Sequence, residues 1–298
     1  MILRYRMSLK QLIQKAFRLF GYEFKKIHQP NLKFYKHFYS EESLRNRAFY
    51  NIGAGGFSHP FWTNIDFDSE WYSQNKEKTL SGIQYDLFSF KEIPVYSGFA
   101  EIVYSSHTFE HINDQAALYV FKEMYRILKK HGFLRITVPN IDLYYRAYRD
   151  KDRHFFSWID HYSTDERWRA INYNVPPCKA SLEQILLFEF ASNVSILHND
   201  GVETRIDDEE FRELLKSMPY EAALNHCCSR CSVDVQRKYP GNHINWWNAN
   251  KLITMLKEAG FTAPYVSGYG QSHCPVLRNT RFFDNTHPEL SLYIEAVK

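Results

Sequence analysis

The sequence predicts an α/β protein: a seven-stranded, mostly parallel sheet with a helical insertion after strand five and an amphipathic helix at the N-terminus. Three observations predict it. Short apolar runs alternate with loops and helical stretches from Ala48 to Pro139. The alternation stops after Pro139, where residues 141–245 become polar, aromatic and helical in pattern. It resumes near Asn250 and continues to the last residues. Such a βαβ rhythm builds a sheet covered on both faces.

The elements follow in order. Residues 1–44 form a basic N-terminal segment whose residues 8–20 read as a helix. Ser8 caps it, Leu9, Leu12, Ile13, Ala16, Phe17 and Phe20 share one stripe, and Gly21 ends it. Arg18 interrupts the apolar positions and no small-residue cleavage site follows, so a secretory signal is not expected. Docking on the body is the favoured reading. Peripheral membrane contact through residues 8–26 is the second, because Lys10, Lys15 and Arg18 lie off the stripe. Strands are expected at Ala48–Ile52, Thr63–Ile65, Ile83–Tyr85, Glu101–Tyr104 and Phe133–Val138, with a helix over Gln115–Lys130. Within the insertion, Ser181–Ala191 and Asp207–Ser217 have helical spacing. Asn250–Ala259 reads as a helix stopped by Gly260, and Phe261–Ser267 and Ser291–Val297 as the last strands. Residues 45–140 plus 246–298 therefore make the core, and 141–245 a substrate lid.

Composition limits the function. Apolar residues are 44% and charged residues 24%, which excludes a disordered chain and a collagen-like fibre. No run approaches the roughly 18 apolar residues of a membrane span. Residues 1–40 carry nine Lys/Arg against one acid, so the rest of the chain is net acidic. An acidic body argues against a nucleic-acid partner. Five cysteines, an odd number, are expected to remain thiols in a reducing, cytoplasmic compartment.

The chemistry gathers at strand tips. Asn51-Ile52-Gly53-Ala54-Gly55-Gly56 follows the first strand, and a turn lacking Cβ atoms lets backbone approach a ligand. Asp66, at the second strand's tip, can accept both hydroxyl hydrogens of a ribose. Asp86-Leu87, at the third, could read an adenine amino group. Ser105 and Ser106, at the tip of strand four, join this expected cofactor set. The ordered set of Gly53-Ala54-Gly55, Asp66, Asp86-Leu87, Ser105 to His111, Ile127 to Ile136 and Val138-Pro139-Asn140 resembles a class I S-adenosylmethionine-dependent methyltransferase, a Rossmann-like fold. The stretch Tyr239 to Trp247, Tyr269-Gly270-Gln271-Ser272 and the tail from Arg278 to Ala296 are similar to methyltransferases found with surface-polysaccharide biosynthesis. That resemblance implies S-adenosylmethionine as cofactor. It also implies O-methylation of a carbohydrate, either a nucleotide-activated sugar or a surface-glycan intermediate. Asn51 stands where the family usually has Asp or Glu, and Phe57 where it often has a third glycine. About ten residues join the first two strands, fewer than a usual crossover, so the first helix should be very short or absent.

For a hydroxyl acceptor the protein must help remove a proton. His107 is the first candidate base, because imidazole titrates near neutrality. His111, four residues on, and His243, beside Trp246 and Trp247, complete the catalytic candidates. A hydrogen-bonded loop position is the plainer reading of His107, and a packed aromatic hinge that of His243. His107-x-x-Glu110-His111 also matches the inverted zinc-peptidase pattern, which belongs inside a helix rather than at a strand end. Cys227, Cys228 and Cys231 lack the second ligand pair of a structural zinc site, so no metal ligand is assigned. A methyltransferase fold that binds without catalysing is the remaining alternative.

Overall fold

In a computed structural model the described residues are 13, 16, 17, 19, 20, 32–67, 82–158, 179–198 and 205–298. The expected helix over 8–20 falls largely outside them. The chain divides into two compact units, residues 1–38 and 39–298. In the first, the helix Leu32–Phe38 sets Phe34 edge-on to Phe38 at 5.0 Å.

In the second unit, seven strands form one sheet in the order β3-β2-β1-β4-β5-β7-β6. They are β1 (Phe49–Ile52), β2 (Trp62–Asp66), β3 (Gly82–Gln84), β4 (Ala100–Ser106), β5 (Leu128–Pro139), β6 (Tyr265–Val266) and β7 (Ser291–Val297). The pairs β1/β2, β1/β4, β2/β3 and β4/β5 are parallel, whereas β7 runs antiparallel to β5 and to β6. All of β1 is buried, as expected of a central strand covered on both sides. The chain direction across the sheet reverses between β1 and β4. That is the switch point where α/β sheets open a crevice at their strands' carboxyl ends.

Two expected boundaries shift. The helix after β4 spans Asp114–Ile127, capped by the Asn113 side chain on Ala116 N–H. It ends before Lys130 because Leu128 turns extended and pairs with Ala100 as the start of β5. The strand expected over Phe261–Ser267 shrinks to Tyr265–Val266. Pro264 has no N–H to give a ladder, and Phe261 N–H bonds back to Leu256 O at the helix end.

Residues 53–61, between β1 and β2, contain no helix, as the short crossover predicts. After β5 come helices at Ile141–Arg149, Leu182–Ala191, Asp208–Ser217, Tyr220–Ser229 and Val233–Lys238. They share an apolar core of their own, built from Tyr144, Leu186, Phe190, Phe211, Leu224 and Trp246 among others. The sheet's core is a separate cluster around Ile52, Val103, Phe121, Ile136 and Trp247. Both lie within the 39–298 unit, so 141–245 does not part from the sheet as a compact body. The helix Glu41–Arg45 also belongs to this unit: Ser43 Oγ donates to Glu101 Oε1 at 2.5 Å.

Candidate active site

A cavity of about 970 Å³ opens at the carboxyl ends of the strands flanking the switch point. Its floor is the turn after β1. Gly53 takes φ +67°, and a Cβ there would sit 2.1 Å from Thr108 Oγ1. Glycine is therefore required both by backbone conformation and by the close approach of the β4 loop. Gly55 also has positive φ, at +49°, and a Cβ on it would meet nothing within 4 Å, since it faces open space. Gly53 N–H bonds to Ile65 O at 2.9 Å, and Gly55 N–H to the Asp66 carboxylate at 2.7 Å. With no helix after β1 to organise this turn, β2 does so.

Asn51, Ala54, Asp66, Asp86 and Leu87 all line the cavity. Asn51 is 4% exposed, and its Oδ1 meets no hydrogen-bond donor among the described residues. Asp86 accepts Phe88 N–H at 2.8 Å through one oxygen and pairs with Arg237 at 2.9 Å through the other. Ser106 lines the cavity and accepts from Thr137 Oγ1 at 2.7 Å. Ser105, expected beside it, does not line it. Successive strand residues point to opposite faces; Ser105 is fully buried and donates to Ile52 O at 2.9 Å.

The cavity is also walled by Tyr104, His107, Arg281, Phe282, Asn285 and Thr286. Burial pushes the Tyr104 hydroxyl up to about 12, so it stays neutral, and it accepts Asp284 N–H at 2.7 Å. The segment Arg281–Thr286 and Arg237 lay outside the expected site. The motif around Phe283-Asp284 was the only sequence signal for the first, and no spacing signalled the second.

The three histidines expected from sequence converge on one carboxylate, Glu110. His107 has φ +51°. Its Nε2 lies 2.7 Å from Ser291 Oγ and its Nδ1 3.3 Å from Glu110 Oε1. His111 Nε2 lies 3.9 Å from the same oxygen. His243 does not line the cavity; its ring lies edge-on to His111 with centroids 4.9 Å apart. Glu110 is 1% exposed. Burial alone would raise its carboxyl; the His107 ring 3.3 Å away, then His111 and His243, outweigh it and hold it at about 2. Burial lowers His243 to about 4, with His111 adding to the effect. Residues 109–111 form a single 3-10 turn, not the helix interior that the zinc-peptidase pattern requires.

The strand order, the switch-point cavity and the glycine turn braced by an acid on β2 define a Rossmann-like class of nucleotide-cofactor enzyme. Residues 53–136 match the family model described as a methyltransferase domain. The match runs from the glycine turn into β5. Residues 53–136 thus carry a methyltransferase domain, with S-adenosylmethionine as its cofactor. No curated protein matches the chain. Among solved structures, an S-adenosylmethionine-dependent methyltransferase from Archaeoglobus fulgidus is 12% identical, with 98% of this chain and 100% of that one covered at a TM-score of 0.37. One from Mesorhizobium loti is 11% identical, covering 84% and 90% at 0.35. Phosphoethanolamine N-methyltransferase 2 from Haemonchus contortus, in complex with S-adenosylmethionine, is 11% identical, covering 84% and 48% at 0.34.

Proposed function

We propose that the protein methylates a hydroxyl of a carbohydrate, as a nucleotide-activated sugar or a surface-glycan intermediate. The observation that carries this reading is one cavity lined by two chemically different sets of residues. The set Asn51, Gly53–Gly55, Asp66 and Asp86 fits an adenosyl amino acid. The orphaned Asn51 Oδ1 suits an ammonium group, open space above Gly55 suits close backbone approach, and Asp66 suits a ribose diol. The set Ser106, His107, Arg281, Phe282, Asn285 and Thr286 mixes hydrogen-bonding groups with an aromatic ring, as a sugar needs.

When bound, the cofactor supplies an electrophilic methyl carbon on a sulfonium. The chain's own part is to align the acceptor and receive its proton. His107 is placed for this in the cavity wall, with Glu110 beside Nδ1 fixing the ring. The proton arrives at Nε2, now beside Ser291 Oγ. That hydroxyl can turn away, since Thr286 O and His287 O lie 3.2 and 2.8 Å from it. His111 stands in the same wall as a second acceptor-side contact.

Arg237 closes the other side. It reaches from the helix Val233–Lys238 to Asp86, with its guanidinium 5.5 Å from the Phe88 ring centre. This supports reading the helices after β5 as a substrate cover.

The test is a screen of nucleotide sugars with isotope-labelled cofactor, read by mass spectrometry for gain of one labelled methyl group. Transfer to a sugar hydroxyl is expected. Transfer only to amines, or none with any sugar while the cofactor binds, would overturn the acceptor assignment. His107→Gln is expected to lower kcat with cofactor affinity kept.

A further inference from the structure

Glu110, His111 and His243 each offer one ligand atom, and these atoms lie within 4.8 Å of one another. The first two come from the 3-10 turn after β4, and the third from the segment returning to the sheet. The two segments are locked by backbone, since Ile244 N–H and Asn245 N–H both donate to Glu110 O, at 2.8 and 3.1 Å.

Hydrogen bonding fixes which ring atoms face inward. His111 Nδ1 lies 2.9 Å from Asn242 O, and His243 Nδ1 lies 2.7 Å from Glu189 O. A carbonyl oxygen only accepts, so Nδ1 carries the hydrogen in both rings. In a neutral imidazole the lone pair then sits on Nε2. Glu110 contributes a carboxylate that is 1% exposed, and neither of its oxygens has a hydrogen-bond donor in good geometry among the described residues. His107 Nδ1, at 3.3 Å, attends only Oε1. With both rings neutral, two lone pairs and a carboxylate would face one another in a partly buried place. Acceptors repel at that range unless a positive centre lies among them.

The histidine arrangement is also the one that metal ligands adopt. A ligating ring almost always gives its other N–H to a carbonyl or carboxylate, which fixes tautomer and orientation. We propose that Glu110, His111 and His243 bind one divalent transition-metal ion. Two imidazole nitrogens and one carboxylate suit zinc or its first-row neighbours, whereas magnesium and calcium prefer all-oxygen sets. Ligand atoms around such an ion sit about 3.4 Å apart, so the rings need close in by only about 1 Å. His111 also lines the large cavity, so the ion borders it. The site goes beyond methyl transfer and does not depend on which acceptor is used.

The test uses the full chain stripped with a chelator, then titrated with Zn²⁺ by competition and with Co²⁺ by absorption. One ion per chain is expected. The cobalt spectrum should show d–d bands without a thiolate charge-transfer band, which separates this site from Cys227, Cys228 and Cys231. His243→Gln and His111→Gln should each weaken zinc binding by about 100-fold, while a variant with all three of those cysteines changed to Ser should keep it. Absence of saturable binding, a thiolate band, or affinity unchanged in His243→Gln would each overturn the proposal. Should either His variant fail to fold, the wild-type cobalt spectrum and stoichiometry decide.

Discussion

Arg135 pins the segment Arg281–Thr286 through Asp284, and replacing it by Met should unfold the protein at markedly lower denaturant. It is fully buried on β5, and all five of its N–H groups have acceptors. Nε and Nη2 reach the two Asp284 oxygens at 2.9 and 2.5 Å. Nη1 reaches Glu295 Oε1 at 2.8 Å and Ser267 Oγ at 3.1 Å, and Nη2 also reaches Gly268 O at 2.8 Å. Five charge-assisted bonds at about 1.5–3 kcal/mol each would sum to as much as a domain's whole stability, so that count cannot be the answer. It neglects the desolvation already spent on three buried ions. The quantity that decides is the cost of leaving a buried charge without its partner, about 3–5 kcal/mol. Asp284 and Glu295 are both fully buried, and only neutral donors would remain to them: Gly270 N–H to Asp284, Tyr265 O–H and His273 N–H to Glu295. Arg135→Met should therefore lose about 3–5 kcal/mol in equilibrium urea unfolding followed by tryptophan fluorescence, with m unchanged. Adding Asp284→Asn and Glu295→Gln removes the stranded charges and should recover about half or more of the loss. A loss below about 1 kcal/mol, or a triple variant no better than the single, would refute the reasoning.

Gly53→Ala should cost about 1 kcal/mol for the left-handed backbone and about 1–3 more for overlap with Thr108; adding Thr108→Ala should return most of the second part in thermal melts. Asp66→Ala removes the charged acceptor of Gly55 N–H and a cavity-lining carboxylate. Isothermal titration should show S-adenosylmethionine binding weakened by about 10–100-fold, from the 1.5–3 kcal/mol of a charged hydrogen bond; unchanged affinity would remove Asp66 from the site. Burial pushes the Cys227 thiol from 9.0 up to about 12. A raised folded pKa contributes stability that is present below pH 9 and fades as pH rises through about 12. Cys227 should accordingly resist iodoacetamide at neutral pH in the native protein and react promptly once it is denatured, as peptide mass mapping would show.

Periodicity exposed the sheet because each strand's burial is largely a local property of its residues: β1 is buried throughout, and Gly260 marks a helix end that the chain honours. It misjudged β5, since the extended turn at Leu128 is dictated by pairing with Ala100 across the sheet. The gathering of Gly53, Asp66 and Asp86 about one cavity was equally open to reading, because they sit at strand tips, where topology alone brings them together. Arg281 to Thr286 escaped because their place depends on Asp284 meeting Arg135, a contact across 149 positions of sequence. The same holds for Glu110. His107, His111 and His243 each stand out as residue types, but only the backbone ties from Glu110 O to residues 244 and 245 show that one buried carboxylate is their hub.

The missing helix after β1 changes how this domain grips its cofactor. A helix there would offer free N–H groups and a positive dipole end to an anionic ligand group. Residues 53–61 form no helix and so bring no dipole end. Gly55 N–H is already given to Asp66, so the turn's conformation is set by a carboxylate on the neighbouring strand. Asp66 thus carries two duties, shaping the turn with one oxygen and facing the cavity from the same wall. Neutral Asn51 brings an orphaned oxygen but no charge to the cavity. Asp66→Asn can donate where Gly55 N–H needs an acceptor, so it should disturb the turn as well as the ligand contact. Its affinity loss should equal or exceed that of Asp66→Ala, the reverse of the order expected if Asp66 only touched the ligand.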